Sequence, residues 1–488
     1  MTSVLDTKAS MLSTRTVLLR LVTIISFSLT TSGCAIFTID TMHNQPLGPN
    51  PAQETRATMN VAGDDLYYGK FIGIALSGGG SRAANFSAAV MFELDEQLQL
   101  LDKATAISSV SGSSLPAAYY GLYGRDTSRW NRDEVRTQMK KDFEERWIWS
   151  WFLPQNALRY WTTNFSRSDI MKDVLDSNLY HGSTFANMSS GRPHVLINST
   201  SLALGKKFIF SNEKFKKDLN SRIDTYPVAN AVMASSAFPG AFHDMTLYKY
   251  AASQGTSQEQ EYEHLIDGGP FDNLGVTTLF KMANSLPKTG IKETKCLLFV
   301  VDAYPYPMKP MYIHTADTRS FIDYFVDSNI AAASDALLSV RRSDLLDELN
   351  VGFKDFDSNN EPFHLVSPDD EILLDDDDKI YCGVWHIGLP RLLSPDFQKY
   401  AMQGGIPEDR INELATIVNS IPTRYKLTGT DKDGKEITAD KLQEYLFTAA
   451  RYLVNYDRDK NGKSVLEDVR EWLGSHDHPQ SGWLEESP

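Results

Sequence analysis

Apolar residues in this chain fall into short, abruptly ended runs, each followed by a segment of helical spacing. The first run of the folded part, Phe71-Ile72-Gly73-Ile74-Ala75-Leu76, stops at Ser77-Gly78-Gly79-Gly80. Its length and glycine stop suit a strand buried on both faces. Ala83, Ser87, Val90, Met91 and Leu94 then recur as one face of a helix. A second run, Ala104 to Val110, leads into Ser111 and a small-residue helix from Leu115 to Tyr123. Further strands are expected at 194–198, 208–210 and 297–301, and from about Ser394 the pattern turns helical and polar. Such alternation predicts a layered α/β domain over residues 71–393, then a mainly helical C-terminal region over 394–488.

One stretch stands out for its rings. Between Trp130 and Phe165 lie Trp147, Trp149, Trp151, Phe152, Tyr160 and Trp161. A well-packed helical insertion is one reading. The other is an apolar rim or lid over a lipid site, since indole rings suit membrane interfaces.

Composition acts mainly by exclusion. With 42% hydrophobic and 23% charged residues the chain has ample material for a core. A net charge of −15 and the lack of a long basic run argue against a nucleic-acid partner. Surface charge alone would not hold it on an anionic membrane either, so membrane contact needs an anchor or an apolar patch. Cys34, Cys296 and Cys382 are too few and too scattered for a disulfide framework or a zinc site, and the last two read as buried strand residues.

The N-terminus has the order of a secretory signal. Arg15 and Arg20 precede an apolar stretch from Leu21 to Leu29, followed by Thr31-Ser32-Gly33-Cys34. That stretch is too short to span a bilayer, which takes ~20 residues. A small residue before a cysteine resembles the lipobox of bacterial lipoproteins, with Thr31 where leucine is usual. Residues 1–33 are therefore expected to be a signal peptide, Cys34 the lipidation site and 34–70 a tether. By the same resemblance, Ala35 implies an outer-membrane location in the cell envelope. A plain signal peptide, with Cys34 incidental, is the alternative.

Three turns carry the candidate chemistry. Gly78-Gly79-Gly80-Ser81-Arg82 joins a buried strand to a helix, so its backbone N–H groups can converge on an anion or a developing oxyanion. A phosphate-binding loop would end in Gly-Lys-Ser/Thr, which is absent. Ser109-Val110-Ser111-Gly112-Ser113 sits at the next strand-to-helix turn, in the manner of a Gly-x-Ser-x-Gly nucleophile elbow with serines for both glycines. Ser114 is a poorer candidate because Pro116 stands two positions on. Leu265-Ile266-Asp267-Gly268-Gly269 ends an apolar strand in a carboxylate aimed at a cleft, although a turn aspartate would look the same. His386, downstream, would complete a serine–aspartate–histidine order, but its apolar surroundings suit a core residue.

Taken together, Gly-Gly-Gly-x-Arg, a serine elbow about 30 residues later, Ala234-Ser235-Ser236-Ala237-Phe238-Pro239 and Asp267-Gly268-Gly269 resemble the patatin-like phospholipases in order and spacing. Ala83 and Ser109 depart from that pattern, and the alanine is similar to the cytosolic phospholipase branch. The resemblance implies a three-layer α/β/α catalytic domain and a mechanism without histidine. Ser111 would be the nucleophile and Asp267 its general base. The loop from Gly78 to Arg82 would form the oxyanion hole, and Ser109, Gly112, Ser113, Gly268 and Gly269 would support the motifs. It implies a phospholipid or lysophospholipid substrate and no cofactor for catalysis. A noncatalytic lipoprotein using the same scaffold for lipid binding or assembly is the alternative.

Near the end, Asp457, Asp459 and Asn461, with Gly462 at loop position six and Asp468 at twelve, resemble an EF-hand or dockerin loop. Calcium there would be structural. A plain helix–turn–helix remains the alternative, and Asp431-Lys432-Asp433-Gly434 reads as a turn. The acidic run from Asp375 to Asp378 reads as a solvated loop.

Overall fold

A computed structural model describes residues 44–48, 52–188, 191–251, 260–286, 295–305, 338–346, 382–431, 433–459 and 462–474. The signal peptide, Cys34, Asn461 and the acidic run 375–378 lie outside the described residues.

Its strands are β1 (Gln45–Pro46), β2 (Lys70–Leu76), β3 (Ala106–Val110), β4 (His194–Ser201), β5 (Lys206–Phe210), β6 (Ser221–Arg222), β7 (Met245–Lys249), β8 (Glu261–Ile266), β9 (Lys295–Asp302) and β10 (Cys382–Gly388). β1 and β6 form a small antiparallel ribbon. The main sheet runs β10-β9-β2-β3-β4-β8-β7, with β5 also paired to β4. From β10 to β4 the strands are parallel, and β5, β8 and β7 join antiparallel.

Alternate residues of the central strands feed two cores, as the period of two requires. Ile72, Ile74 and Leu76 of β2 and Leu297, Phe299 and Val301 of β9 face α1 (Gly80–Leu98) and α2 (Ser114–Tyr123). Phe71 and Ala75, with Leu298 and Val300, face the layer that holds Val276, Leu279 and Met282. Gly73 permits close packing there: a Cβ would lie 2.7 Å from the Leu298 side chain and 2.8 Å from that of Leu279. The result is the expected three-layer α/β/α arrangement around a mainly parallel sheet.

Between α2 and β4 the chain builds a helical hairpin, α3 (Phe143–Trp151) and α4 (Pro154–Thr162), then α5 (Arg167–Leu175). Asp142 caps α3 by accepting from the Glu145 N–H at 2.8 Å, and Pro154 opens α4, where its missing N–H removes no helical bond. The rings of the aromatic stretch divide between core and surface. Trp130 and Trp147 are buried in the core, whereas Trp149 and Trp161 are exposed. Further along the chain, α6 (Val228–Ser235) and α7 (Val276–Asn284) pack on opposite faces of the sheet.

Three expectations need correction. From residue 44 the tether is folded structure: Asn44, Arg56 and Lys70 are buried, and Arg56 donates to the Gly191 and Arg192 carbonyls at 3.2 Å each. Its polar side chains conceal this, because they are buried with hydrogen-bond partners. The C-terminal helices α8 (Pro395–Gln403), α9 (Glu408–Ser420), α10 (Ala439–Tyr456) and α11 (Val465–Gly474) are helical as expected. They nonetheless share one continuous core with β2, α1 and α2, so they are part of the same folded unit. Finally, Cys296 and Cys382 are buried strand residues but form a disulfide, since parallel pairing of β9 with β10 sets them directly opposite each other.

Candidate active site

The glycine loop leaves β2 and turns at once into α1. Gly79 and Gly80 have φ of +138° and +59°, which side-chain-bearing residues rarely adopt. Gly80 is also pressed by the C-terminal region, for a Cβ there would lie 2.4 Å from the Arg424 carbonyl oxygen. The loop amides divide into two pairs. The Gly78 N–H donates to the Asn273 carbonyl at 2.9 Å and the Ser81 N–H to that of Arg424 at 2.6 Å, so both are engaged. Among the described residues the N–H groups of Gly79 and Gly80 have no acceptor. The five-residue oxyanion loop expected from sequence thus reduces to two unengaged amides.

Arg82 holds this loop from behind. It is buried and donates to the Ala303 carbonyl at 2.7 Å, to the Ile421 carbonyl and to the Thr423 hydroxyl at 3.2 Å. It is a clamp between the glycine loop and the chain after α9.

Ser111 stands at the sharp turn between β3 and α2 with φ of +52°. A non-glycine residue there is strained by about 1–3 kcal/mol, and its surroundings must fix it. They do so through serines. The Ser111 N–H donates to Ser235 Oγ at 2.9 Å, and Ser235 donates to the Asn198 carbonyl at 2.6 Å. Ser109, where a glycine is usual, is buried with its hydroxyl donating to the Leu196 carbonyl at 3.3 Å and accepting from Ser114 at 3.2 Å. Ser113 contacts Ser87 at 2.7 Å and the Ser77 carbonyl, tying the elbow to the glycine loop. Gly112 is required, because a Cβ would lie 2.1 Å from the Gly80 carbonyl oxygen.

Asp267 follows β8 and is buried. Its N–H donates to the Ala237 carbonyl at 3.0 Å and that of Gly268 to Ser235 at 3.2 Å. The Ala234–Pro239 block therefore positions both the serine turn and the aspartate turn, a role its sequence did not disclose. Asp267 Oδ1 accepts from the Gly269 N–H at 2.8 Å. Oδ2 makes no hydrogen bond of full geometry, although the Ser111 hydroxyl is near enough to favour the ionised form. Burial dominates and pushes the carboxyl up to about 6, against the opposing pull of the Gly269 amide and the Ser111 hydroxyl.

Ser111, Asp267, Gly78 and Gly79 line one small cavity, closed by Phe238, Tyr304, Leu338 and Thr423. Its volume is about 20 Å³, room for roughly one water. A larger cavity of about 750 Å³ lies elsewhere, lined by Tyr160, Asp169, His243 and His264, and shares no lining residue with the first. Size does not mark the candidate site; the juxtaposed serine and carboxylate do.

His386 is placed in a different cluster. Its Nε2 lies 2.9 Å from Asp302 Oδ2, and Asp302 also accepts from Arg342 at 2.8 Å. Burial would raise the Asp302 carboxyl, but Arg342 and His386 hold it well below the usual carboxylate range. The calcium-loop residues likewise have other partners. Asp457 is buried, accepting from Arg391 at 2.9 and 3.0 Å through Oδ1 and from the Trp385 indole at 3.1 Å through Oδ2. Asp468 pairs with Lys463. Asp459 Oδ1 accepts from the Lys463 N–H at 2.7 Å, a turn bond that Asp431 repeats with the Lys435 N–H at 2.9 Å. Among the described residues no group of three or more His, Cys, Asp or Glu side chains is placed to hold a metal ion.

The fold defines the class: an α/β protein whose loops after β2, β3 and β8 converge at one cavity. Residues 74–280 match the family model for patatin-like phospholipases. Among solved structures, human GIVD cytosolic phospholipase A2 aligns with 13% identity and a TM-score of 0.42, covering 83% of this chain and 62% of that one. The same human enzyme in complex with methyl gamma-linolenyl fluorophosphonate aligns with 14% identity and a TM-score of 0.40, covering 84% and 60%. The chain thus spans about three fifths of those structures. No curated protein matches it in sequence.

Proposed function

We propose that this protein hydrolyses carboxylic esters of phospholipids or lysophospholipids, with Ser111 as nucleophile and Asp267 as general base. The observation that carries the reading is the buried Asp267, its Oδ2 unengaged, beside a serine held at positive φ. Ser111 Oγ attacks the ester carbonyl carbon while its proton passes to Asp267. The Gly79 and Gly80 amides receive the developing oxyanion, each worth about 3 kcal/mol in the transition state. Collapse breaks the ester C–O bond, and Asp267 returns the proton to the leaving alkoxide. Water, deprotonated by the same carboxylate, then adds to the acyl carbon, the bond to Ser111 Oγ breaks as Asp267 returns the proton to Oγ, and the fatty acid leaves. An acyl chain needs the walls formed by Phe238, Tyr304 and Leu338 to part.

The test is labelling by a serine-directed fluorophosphonate together with ester hydrolysis. Wild type should label and turn over. Ser111→Ala should do neither, and Asp267→Asn should fold but not turn over. Full hydrolysis by either variant would sink the dyad, and loss confined to His386 variants would favour a triad. Acylation of Cys34 at an envelope membrane belongs to the same reading, supported by the lipobox-like order, and an unmodified Cys34 in the mature protein's mass spectrum would refute it.

A further inference from the structure

The α3–α4 hairpin carries an apolar lobe that is largely exposed in the described structure. Trp149 is 67% exposed, Phe152 62%, Leu158 65% and Trp161 73%. They pair at i, i+3 on successive faces, with the Trp149 and Phe152 rings 6.3 Å apart near the turn. The opposite side is anchored: Trp147 donates its indole N–H to the Arg167 carbonyl at 3.0 Å and packs on Phe242 at 5.3 Å. The exposed rings are therefore held outward by a fixed base. Such a lobe marks an interaction surface rather than ordinary surface exposure.

Charge selects the occupant. The chain as a whole carries −15, and Glu144 and exposed Glu145 stand at the base of α3, yet from Arg146 to Ser168, the stretch that bears the exposed rings, there is no acidic residue, only Arg146, Arg159 and Arg167. Arg146 is exposed, whereas Arg159 is partly balanced by Asp173 at 3.7 Å. Apolar rings bordered by arginine suit a layer of anionic headgroups over hydrocarbon, and indoles prefer that boundary. A second copy docked face to face would set arginine against arginine.

The base of the hairpin also reaches the catalytic loop. Arg424 donates to Glu144 of α3 at 3.1 Å, while its carbonyl accepts the Ser81 N–H. Tyr425 accepts the Phe143 N–H at 3.2 Å. Residues 424 and 425 thus join the exposed lobe to the loop beside Ser111.

We propose that the α3–α4 hairpin is a membrane-docking element that seats Trp149, Phe152, Leu158 and Trp161 in the interface of an anionic phospholipid bilayer. It gives the proposed hydrolase a means of reaching its substrate, and rests on that reading for its purpose but not for its test. The test uses the full chain with Cys34→Ser, so that no acyl anchor contributes, and with Ser111→Ala, so that vesicles are not consumed. Partition onto phosphatidylcholine vesicles with and without phosphatidylglycerol is measured by flotation. The parent should bind the mixed vesicles, and Leu158→Glu with Trp161→Glu should weaken binding by at least about tenfold. Brominated lipids should quench the parent's tryptophan emission. Trp149→Phe with Trp161→Phe should keep binding but lose most of that quenching. With Ser111 restored, the glutamate variants should hydrolyse a soluble short-chain ester as before. Unchanged partition of the glutamate variants, quenching that survives the phenylalanine changes, or a parent dimer that the glutamates dissolve would each overturn the proposal. An absence of esterase activity would count against the proposed function alone, since partition is read without the nucleophile.

Discussion

Replacing Asp267 by asparagine should stabilise the fold while abolishing its chemistry, and the gain should depend on pH. Burial raises the Asp267 carboxyl from 3.8 to about 6 in the folded chain. A tenfold change in proton affinity is ~1.4 kcal/mol, so ionising this group costs the native state about 3 kcal/mol relative to the unfolded chain. The sign follows from the raised value. Asp267 favours folding fully below its unfolded value, and that contribution is lost as pH rises through about 6. Asparagine keeps an oxygen for the Gly269 N–H but carries no charge. Its advantage over wild type should therefore be near zero at pH 4, grow between pH 4 and 6, and level off at ~3 kcal/mol by pH 8. For a domain of this size that is a rise of roughly 3–4 °C in melting temperature. Parallel thermal and urea unfolding of the two proteins across that range measures it. A difference that is flat with pH, or a variant less stable than wild type at pH 8, would refute the buried, high-affinity carboxyl.

The same group should set the acid limb of kcat/KM on a soluble ester, which falls tenfold per pH unit below about 6 as Asp267 takes up its proton; activity held flat down to pH 4 would contradict it. Reducing the Cys296–Cys382 disulfide, which spans 86 residues, should lower stability by up to about 4–5 kcal/mol, read as an earlier unfolding midpoint with reductant. Asp457→Ala leaves the Arg391 guanidinium buried without its carboxylate and should cost about 3–5 kcal/mol, equally in calcium and in chelator. A calcium-dependent difference in that variant series would restore the cation-loop reading.

What the sequence disclosed was local. Runs such as 71–76 and 297–301 are buried on both faces, so they read as unbroken apolar strands, and Ser111 and Asp267 lie at turns whose small neighbours betray close packing. The remainder depends on partners far away in the chain. Arg82 meets Ile421 across 339 residues, and no local pattern at either end announces it. Cys296 and Cys382 look independent until parallel register sets them opposite each other. Asp457 depends on a distant partner in the same way. The stretch after it has hairpin-turn chemistry: Gly462 has φ of +81° and Gly434 +78°, and each donates its N–H to the aspartate carbonyl three residues earlier. That chemistry shares residue types with a calcium loop, while the Arg391 that claims Asp457 lies 66 residues upstream.

The clamp on the glycine loop has a consequence for the order in which activity arises. Ser111 and Asp267 are both present once the chain has passed Gly269, but Arg82 and Ser81 find their acceptors only when Ile421, Thr423 and Arg424 arrive. A chain still being synthesised thus carries Ser111 and Asp267 from Gly269 to Arg424, about a third of its length, with the glycine loop unbraced. The C-terminal region acts as a built-in latch: if the proposed dyad is the active site, its glycine loop is braced only when synthesis is nearly complete.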